Sequence, residues 1–292
     1  MPLVSMRPML RAARDEGYAV GAFNPVDYAS TKAIVRAAEE LDAPVIVQTS
    51  VKTVKYYGYE AIVNWMQELA GPSPVPIALH LDHGQDLDVV KKCMEAGWTS
   101  VMVDASAKPY AVNLELSMEV VRLAAPMGIG VEAELGKIGG VEEDVVVSDR
   151  EALLVDVDEA REFCAQLDLA VFAPAIGTAH GVYKGEPRIA FDRLEALYRS
   201  IETPFALHGG TGLSDAIIQR CIALGCAKVN ISTELKHTFV DAFVAYREAH
   251  REDHEPLKVL SAQFEAMKSM IAGKIRQFGG AGRGRALAEA YP

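Results

Sequence analysis

The sequence predicts an α/β protein, a (β/α)8 TIM barrel. Eight short apolar runs recur along its 292 residues, and an amphipathic stretch follows most of them. Polar residues collect at the C-terminal ends of those runs, where a barrel carries its reactive groups. A doubly wound open sheet is the alternative, although no Gly-x-Gly-x-x-Gly follows the first run.

Taken in order, a leading helix at 6–16 is placed to cap the barrel bottom. The strand candidates are 19–24, 44–49, 77–82, 100–104, 130–134, 169–175, 205–208 and 227–231. Their Val, Ile, Leu and Ala content suits parallel strands buried on both faces. Helix candidates fall between them at 28–41, 87–96, 112–125, 192–200 and 214–224. The longest irregular segment is 136–158, and a loop of that length in a compact domain is usually functional. A helical tail at 255–278 runs into Gly-Gly-Ala-Gly-Arg-Gly-Arg. No linker or repeat divides the chain, so residues 1–292 read as a single TIM-barrel domain.

Composition removes several function classes. Forty acidic residues against 29 basic ones give a net charge of -11. Such a surface repels phosphate backbones, so nucleic acid is not an expected partner. No apolar run approaches the roughly 20 residues of a membrane helix. Arg11, Arg14, Asp15 and Glu16 follow the first ten residues too soon for a signal peptide. Cys93, Cys164, Cys221 and Cys226 form no Cys-x-x-Cys pair, as expected of reduced thiols in a cytoplasmic protein.

The rim residues can be read one by one. Asn24 ends strand one and Ser50 follows strand two. Asp82 and His83 end strand three, Asp104 strand four and Glu134 strand five. His180 lies after strand six, His208 ends strand seven and Asn230 ends strand eight. His83, His180 and His208 can converge, and three imidazoles with an open position make a catalytic zinc site. Any one of them alone would more readily be a hydrogen-bonded structural histidine. Asp82 stands beside a candidate ligand, where a carboxylate can exchange a hydroxyl proton. Asp104 and Glu134 either bind a second cation or hold the ligand imidazoles. His80 reads as core, or as a group that orients a ligand; His237, His250 and His254 read as surface. Anion binding is expected from three segments: Gly181 to Lys184, the run Gly209-Gly210-Thr211-Gly212, and Asn230 to Thr233 with Ser232.

These residues resemble the class II, metal-dependent fructose-bisphosphate aldolase family over essentially the whole chain. The resemblance rests on Ala-Phe-Asn at 22–24, His-Leu-Asp-His at 80–83 and Val-Glu-Ala-Glu-Leu-Gly at 131–136. It continues in Gly-Gly-Val-Glu-Glu-Asp at 139–144, Gly-Thr-Ala-His-Gly-Val-Tyr-Lys-Gly-Glu-Pro at 177–187, Leu-His-Gly-Gly-Thr-Gly at 207–212 and Lys-Val-Asn-Ile-Ser-Thr at 228–233. It is nearest the branch of fructose- and tagatose-bisphosphate aldolases and the inositol-breakdown aldolase. The resemblance implies catalytic zinc on His83, His180 and His208, and a second zinc position at Asp104 and Glu134. It implies that Asp82 deprotonates the C4 hydroxyl, and that Glu142, ahead of its neighbour Glu143, is the acid/base on a mobile loop. Gly181, Lys184, Gly209, Thr211, Asn230 and Thr233 would hold the dihydroxyacetone phosphate half. A monovalent cation is a further candidate ion, and a homodimer or homotetramer with the tail helices at the contact is the implied assembly.

One departure concerns the far end of the substrate. Members acting on bisphosphates often carry an arginine just before a Glu-Ala-Met-Lys-like stretch; here 260–264 reads Leu-Ser-Ala-Gln-Phe. Lys258 and Lys52 are the substitutes to consider. Fructose 1,6-bisphosphate, tagatose 1,6-bisphosphate and a ketose 1-phosphate with an uncharged or carboxylated tail therefore stay open as substrates. A zinc barrel hydrolase would want a His-x-His pair on strand one, which ends Phe23-Asn24. A sugar-phosphate-binding protein without catalysis is the remaining reading.

Overall fold

The computed structural model describes residues 3–142, 145–147, 153–183 and 185–291, with the backbone alone at 141–142 and 145–147. Ser5 opens the first helix, α1 (Met6–Glu16), by accepting from the Arg7 N–H, and Gly17 ends it at φ 71°. Then come β1 (Val20–Phe23), α2 (Tyr28–Glu40), β2 (Val45–Ser50), α3 (Val51–Tyr57), α4 (Tyr59–Ala70), β3 (Ile77–Gly84), α5 (Leu87–Ala96), β4 (Ser100–Val103) and α6 (Tyr110–Ala124). Next are β5 (Gly130–Leu135), β6 (Gly139–Glu142), β7 (Val145–Val147), α7 (Val157–Gln166), β8 (Val171–Pro174), β9 (Ala179–His180) and α8 (Phe191–Ser200). The chain continues through β10 (Phe205–Leu207), α9 (Asp215–Ala223), β11 (Cys226–Ile231), α10 (Thr233–Ala249) and α11 (Pro256–Gln277).

Eight parallel strands close in the order β1-β11-β10-β8-β5-β4-β3-β2, as the alternation of runs predicts. Side-chain oxygens mark several helix starts. Asp27 and Ser30 form a reciprocal capping box, and Ser50, Asp86, Asp156 and Ser214 each accept a backbone N–H of the helix that follows.

Two departures from the sequence reading matter. α3 and α4 fill the connection between β2 and β3, where no helix was expected. The segment 136–158 is not wholly irregular: β6 pairs antiparallel with β7 and parallel with β9, and α7 begins at Val157. This small second sheet has Gly139 and Gly140 in it, a composition that hides a strand.

The barrel interior is layered. At the bottom, Val20, Ala22, Ile46, Ala78, Val171, Ala173, Ala206 and Ala227 pack with Met6, Met9, Leu10 and Ala13 of α1, which plugs the opening. Outward residues such as Leu79, Leu81, Val101 and Val131 join the core under the surrounding helices. Above the plug the inward positions turn polar: Gln48, His80, Glu132 and Lys228 have no exposed surface at all. Near the register shift between β10 and β11, Ala227 and Lys228 can both address the interior.

Candidate active site

Period-two alternation gives four of the eight barrel strands a polar pair, one residue deep and one at the rim: Gln48 and Ser50, His80 and Asp82, Glu132 and Glu134, Lys228 and Asn230. His83 breaks that alternation. The β3–β4 register shifts between Leu81 and Gly84, and His83 takes φ 47°. A left-handed histidine is uncommon, and here it re-aims the side chain so that Asp82 and His83 line one cleft. His180 comes from β9, outside the barrel wall, and His208 from just beyond β10.

The three imidazoles meet. Their ring centroids lie 5.1, 4.8 and 5.7 Å apart, and one nitrogen from each falls within 4.8 Å of the others. His83 Nδ1 stands 2.9 Å from Asp104 Oδ2, and His208 Nε2 stands 2.7 Å from Glu132 Oε1. Burial opposes both carboxylate charges. The imidazoles, Lys228 beside Glu132, and hydrogen bonds from Ser106 and Gln85 to Asp104 nevertheless hold both groups well below the usual carboxylate range. An ionised carboxylate needs a donor, so the N–H of His83 is at Nδ1 and that of His208 at Nε2. The remaining nitrogens, His83 Nε2 and His208 Nδ1, then face each other 3.0 Å apart; with both rings neutral they present lone pairs only, which a bound cation satisfies, as a proton shared between them also does.

Glu134 supports the same conclusion. Its Oε2 is buried and has no hydrogen-bond partner among the described residues. Burial, and then the charge of Asp104, push its carboxyl well above the usual range. His83, Asp104 and Glu134 form a second set of converging ligand atoms. The residues present therefore fit a divalent metal, with room for an alternative position.

Asp82 is only 2% exposed, held in a cage of amides. Asn24 Nδ2 donates to its Oδ2 at 2.8 Å, Gln48 Nε2 approaches the same oxygen at 3.3 Å, and Asn230 Nδ2 donates to Oδ1 at 3.4 Å. Gln48 also donates to Asn24 Oδ1 at 2.7 Å. Both carboxylate oxygens thus accept and none donates, the state of a base.

On the other side of His208, three loop segments meet. Gly209 adopts φ 67°, and a Cβ there would lie 2.4 Å from the Ala179 carbonyl oxygen. Tyr183 Oη donates to the Gly209 carbonyl at 2.8 Å and accepts from the Ala179 N–H. A Cβ on Gly210 would lie 2.9 Å from the Asn230 carbonyl, and Gly181 is left-handed at φ 89°. Thr211 Oγ1 accepts from Glu234 N–H at 3.4 Å, close to the start of α10, where Ser232 caps no N–H with its side chain. The start of α10 at Thr233 offers a helix N-terminus, which suits a phosphate. Lys184 and Glu143 lie outside the described residues, as does the side chain of Glu142.

A cleft of about 380 Å³ opens from the cluster, lined by Ser50, Asp82, His83, Asp104, Glu134, His180 and Gly140, and farther out by Lys52, Lys55 and Lys137. Lys258 is not among its lining residues; it pairs with Asp253 at 2.8 Å on the exposed start of α11. Sequence reasoning missed Gln48, Glu132, Lys228 and Tyr183, and the lysines at 55 and 137. The signal for the first three was present: a charged or amide group two residues before each rim residue of an otherwise apolar strand.

A barrel whose rim gathers three facing imidazoles beside a caged carboxylate defines an enzyme of the metal-using class. The sequence model described as fructose-bisphosphate aldolase class-II matches residues 4–283. The chain belongs to that family of metal-dependent aldolases and is a lyase acting on sugar phosphates. A probable fructose-bisphosphate aldolase of Bacillus subtilis is 40% identical, over 96% of this chain and 98% of its own. A fructose-bisphosphate aldolase of Staphylococcus epidermidis is 39% identical, over 98% and 100%. The crystal structure of the YdjI aldolase from Escherichia coli K12 is similar at a TM-score of 0.84 and 32% identity, over 96% of this chain and 99% of that one.

Proposed function

We propose that the chain reversibly cleaves a ketose 1,6-bisphosphate or ketose 1-phosphate to dihydroxyacetone phosphate and an aldehyde, using zinc held by His83, His180 and His208. The observation that carries this is the convergence of one nitrogen from each of His83, His180 and His208 within 4.8 Å, with the caged Asp82 beside them. Bound there, zinc supplies a Lewis acid for the negative charge that develops at the substrate carbonyl when the C–C bond breaks. Asp104 and Glu134, with His83, are the candidate second zinc position. Asp82 takes the C4 hydroxyl proton in cleavage and returns it in synthesis. Its amide donors keep the carboxylate in place without supplying a proton of their own. Glu142 is assigned the acid/base role at the carbon by its motif. Gly181, Lys184, Gly209, Gly210, Thr211, Asn230, Ser232 and Thr233 take the phosphate-bearing half, with Asn24 and Ser50 toward the rest of the chain.

The names of the Bacillus and Staphylococcus relatives favour fructose 1,6-bisphosphate. Lys52, Lys55 and Lys137 on the outer cleft favour an anionic far end, phosphate or carboxylate, without the tail arginine. A single-domain cytoplasmic homodimer or homotetramer, and a monovalent cation in addition to zinc, complete the reading. No described helix is long and apolar enough to cross a membrane. Exposed Val240, Phe243 and Val244 on α10, and Leu257 and Leu260 on α11, suit a subunit contact; sedimentation tests it. The substrate test is dihydroxyacetone phosphate release by zinc-loaded protein from fructose 1,6-bisphosphate and from fructose 1-phosphate. A clear preference for the bisphosphate supports an anionic distal site. Equal rates refute that part, and no release from either refutes the ketose reading.

A further inference from the structure

Lys228 and Glu132 form an ion pair of 2.9 Å with no exposed surface on either side chain. Desolvation offsets most of the Coulomb energy of such a pair, so it is a weak source of stability. Its contacts suggest another purpose. Glu132 Oε1 accepts the Nε2–H of His208 at 2.7 Å, which leaves Nδ1 as the nitrogen turned toward His83. Lys228 Nζ also donates to Asn230 Oδ1 at 2.8 Å. An ammonium cannot accept, so the Asn230 carbonyl must face Lys228 and its NH2 must face the opposite way, toward Asp82 Oδ1 at 3.4 Å. The same NH2 lies 3.3 Å from His208 Nε2, but that nitrogen already carries a hydrogen and offers no lone pair. His80 completes the group: its Nδ1 lies 3.0 Å from Ser100 Oγ and its Nε2 3.3 Å from Glu132 Oε2, closing the far side of the carboxylate.

We propose that Lys228, through Glu132, is a positioning residue that sets the tautomer of His208 and the amide orientation of Asn230 together, so that the candidate metal ligand and the candidate base are aligned by one buried ammonium. The inference rests on the three-imidazole reading of the site. Lys228 touches neither substrate nor metal and acts through two neighbours.

The test compares Lys228→Met with the charge-neutral double variant Lys228→Met/Glu132→Gln. It measures zinc affinity by chelator competition, kcat and KM at saturating zinc, thermal midpoint, and the 15N imidazole signals of the metal-free protein. Lys228→Met is expected to weaken zinc binding about 10–100-fold, to lower kcat, and to replace the single Nε2–H signature of His208 with a tautomer mixture. In the double variant a glutamine carbonyl can again accept from His208. Zinc affinity should therefore recover toward the wild-type value, while kcat stays low because the Asn230 amide has lost its donor. Wild-type zinc affinity and kcat in Lys228→Met would overturn the proposal, as would a double variant whose kcat recovers along with its zinc. Should Lys228→Met not fold, the double variant carries both readouts. Failure of the zinc reading is distinguishable: the wild-type protein would then not bind zinc, whereas the 15N signature, taken without metal, still tests Lys228.

Discussion

His83 shows how much of the site depends on one backbone angle. A left-handed conformation for a residue with a Cβ costs on the order of 1–3 kcal/mol, and surrounding structure must hold it. The bulge in β3 and the Asp104 hydrogen bond do so here. Asp82 needs no such distortion and is the residue to test for proton transfer. Asp82→Ala is expected to lower kcat about 10²–10⁴-fold while zinc binding, measured by chelator competition, is kept. Loss of zinc together with activity would instead make Asp82 a scaffold. Gly140 belongs to the same scale. A glycine just before the Glu142-bearing segment could serve as a hinge for it. In the structure a Cβ there would lie 2.2 Å from the His180 carbonyl oxygen, at φ 100°. Gly140→Ala should therefore weaken zinc binding as well as turnover, since it displaces the backbone of a ligand. Normal zinc affinity with slow turnover would restore the hinge reading.

Among the elements, α1 and its surroundings give a prediction about pH. Burial, and then the neighbouring Glu16, push the Tyr18 phenol up to about 12. In the unfolded chain it ionises near 10. A raised folded value means the contribution is complete below about pH 10 and is lost as pH rises toward 12. The thermal midpoint should fall across that window, and Tyr18→Phe should flatten the fall; a variant with the same alkaline profile would show that another group is responsible. Met9, with no exposed surface in the plug, is the packing counterpart: Met9→Ala should lower stability by about 2–5 kcal/mol in denaturant titration. The barrel strands and α1 were legible because their hydrophobic period is unbroken. α3 and α4 were not, because Ser50 at the end of β2 serves as both strand residue and cap, and Gly58 alone separates the two helices. β6 was hidden by its glycines, and β9 is only two residues long. The rim residues could be read from position alone. The pairing within the buried polar layer could not, since nothing in one strand says which partner a lone lysine or glutamate meets across the barrel.

At the scale of the whole molecule, the proposed metal would link distant parts of the fold. The candidate ligands arrive from β3, from β9 in the small sheet and from the end of β10, so a cation bound there would tie separate parts of the chain together. Zinc removal by chelator should lower the thermal midpoint, and re-addition should restore it in proportion to free zinc. A midpoint that ignores zinc would show that the cluster binds it too weakly to matter. The seam of the barrel extends this point into time. Val20 pairs with Lys228, and Ala22 with Asn230, across most of the length of the chain. During synthesis the first strand must wait for the last, and contacts of such high sequence separation form slowly. Because the ammonium and the amide proposed to orient the site arrive on that closing strand, a nascent or half-refolded chain would have its histidines without the pair that aligns them. On that reading, uptake of zinc would mark the end of folding.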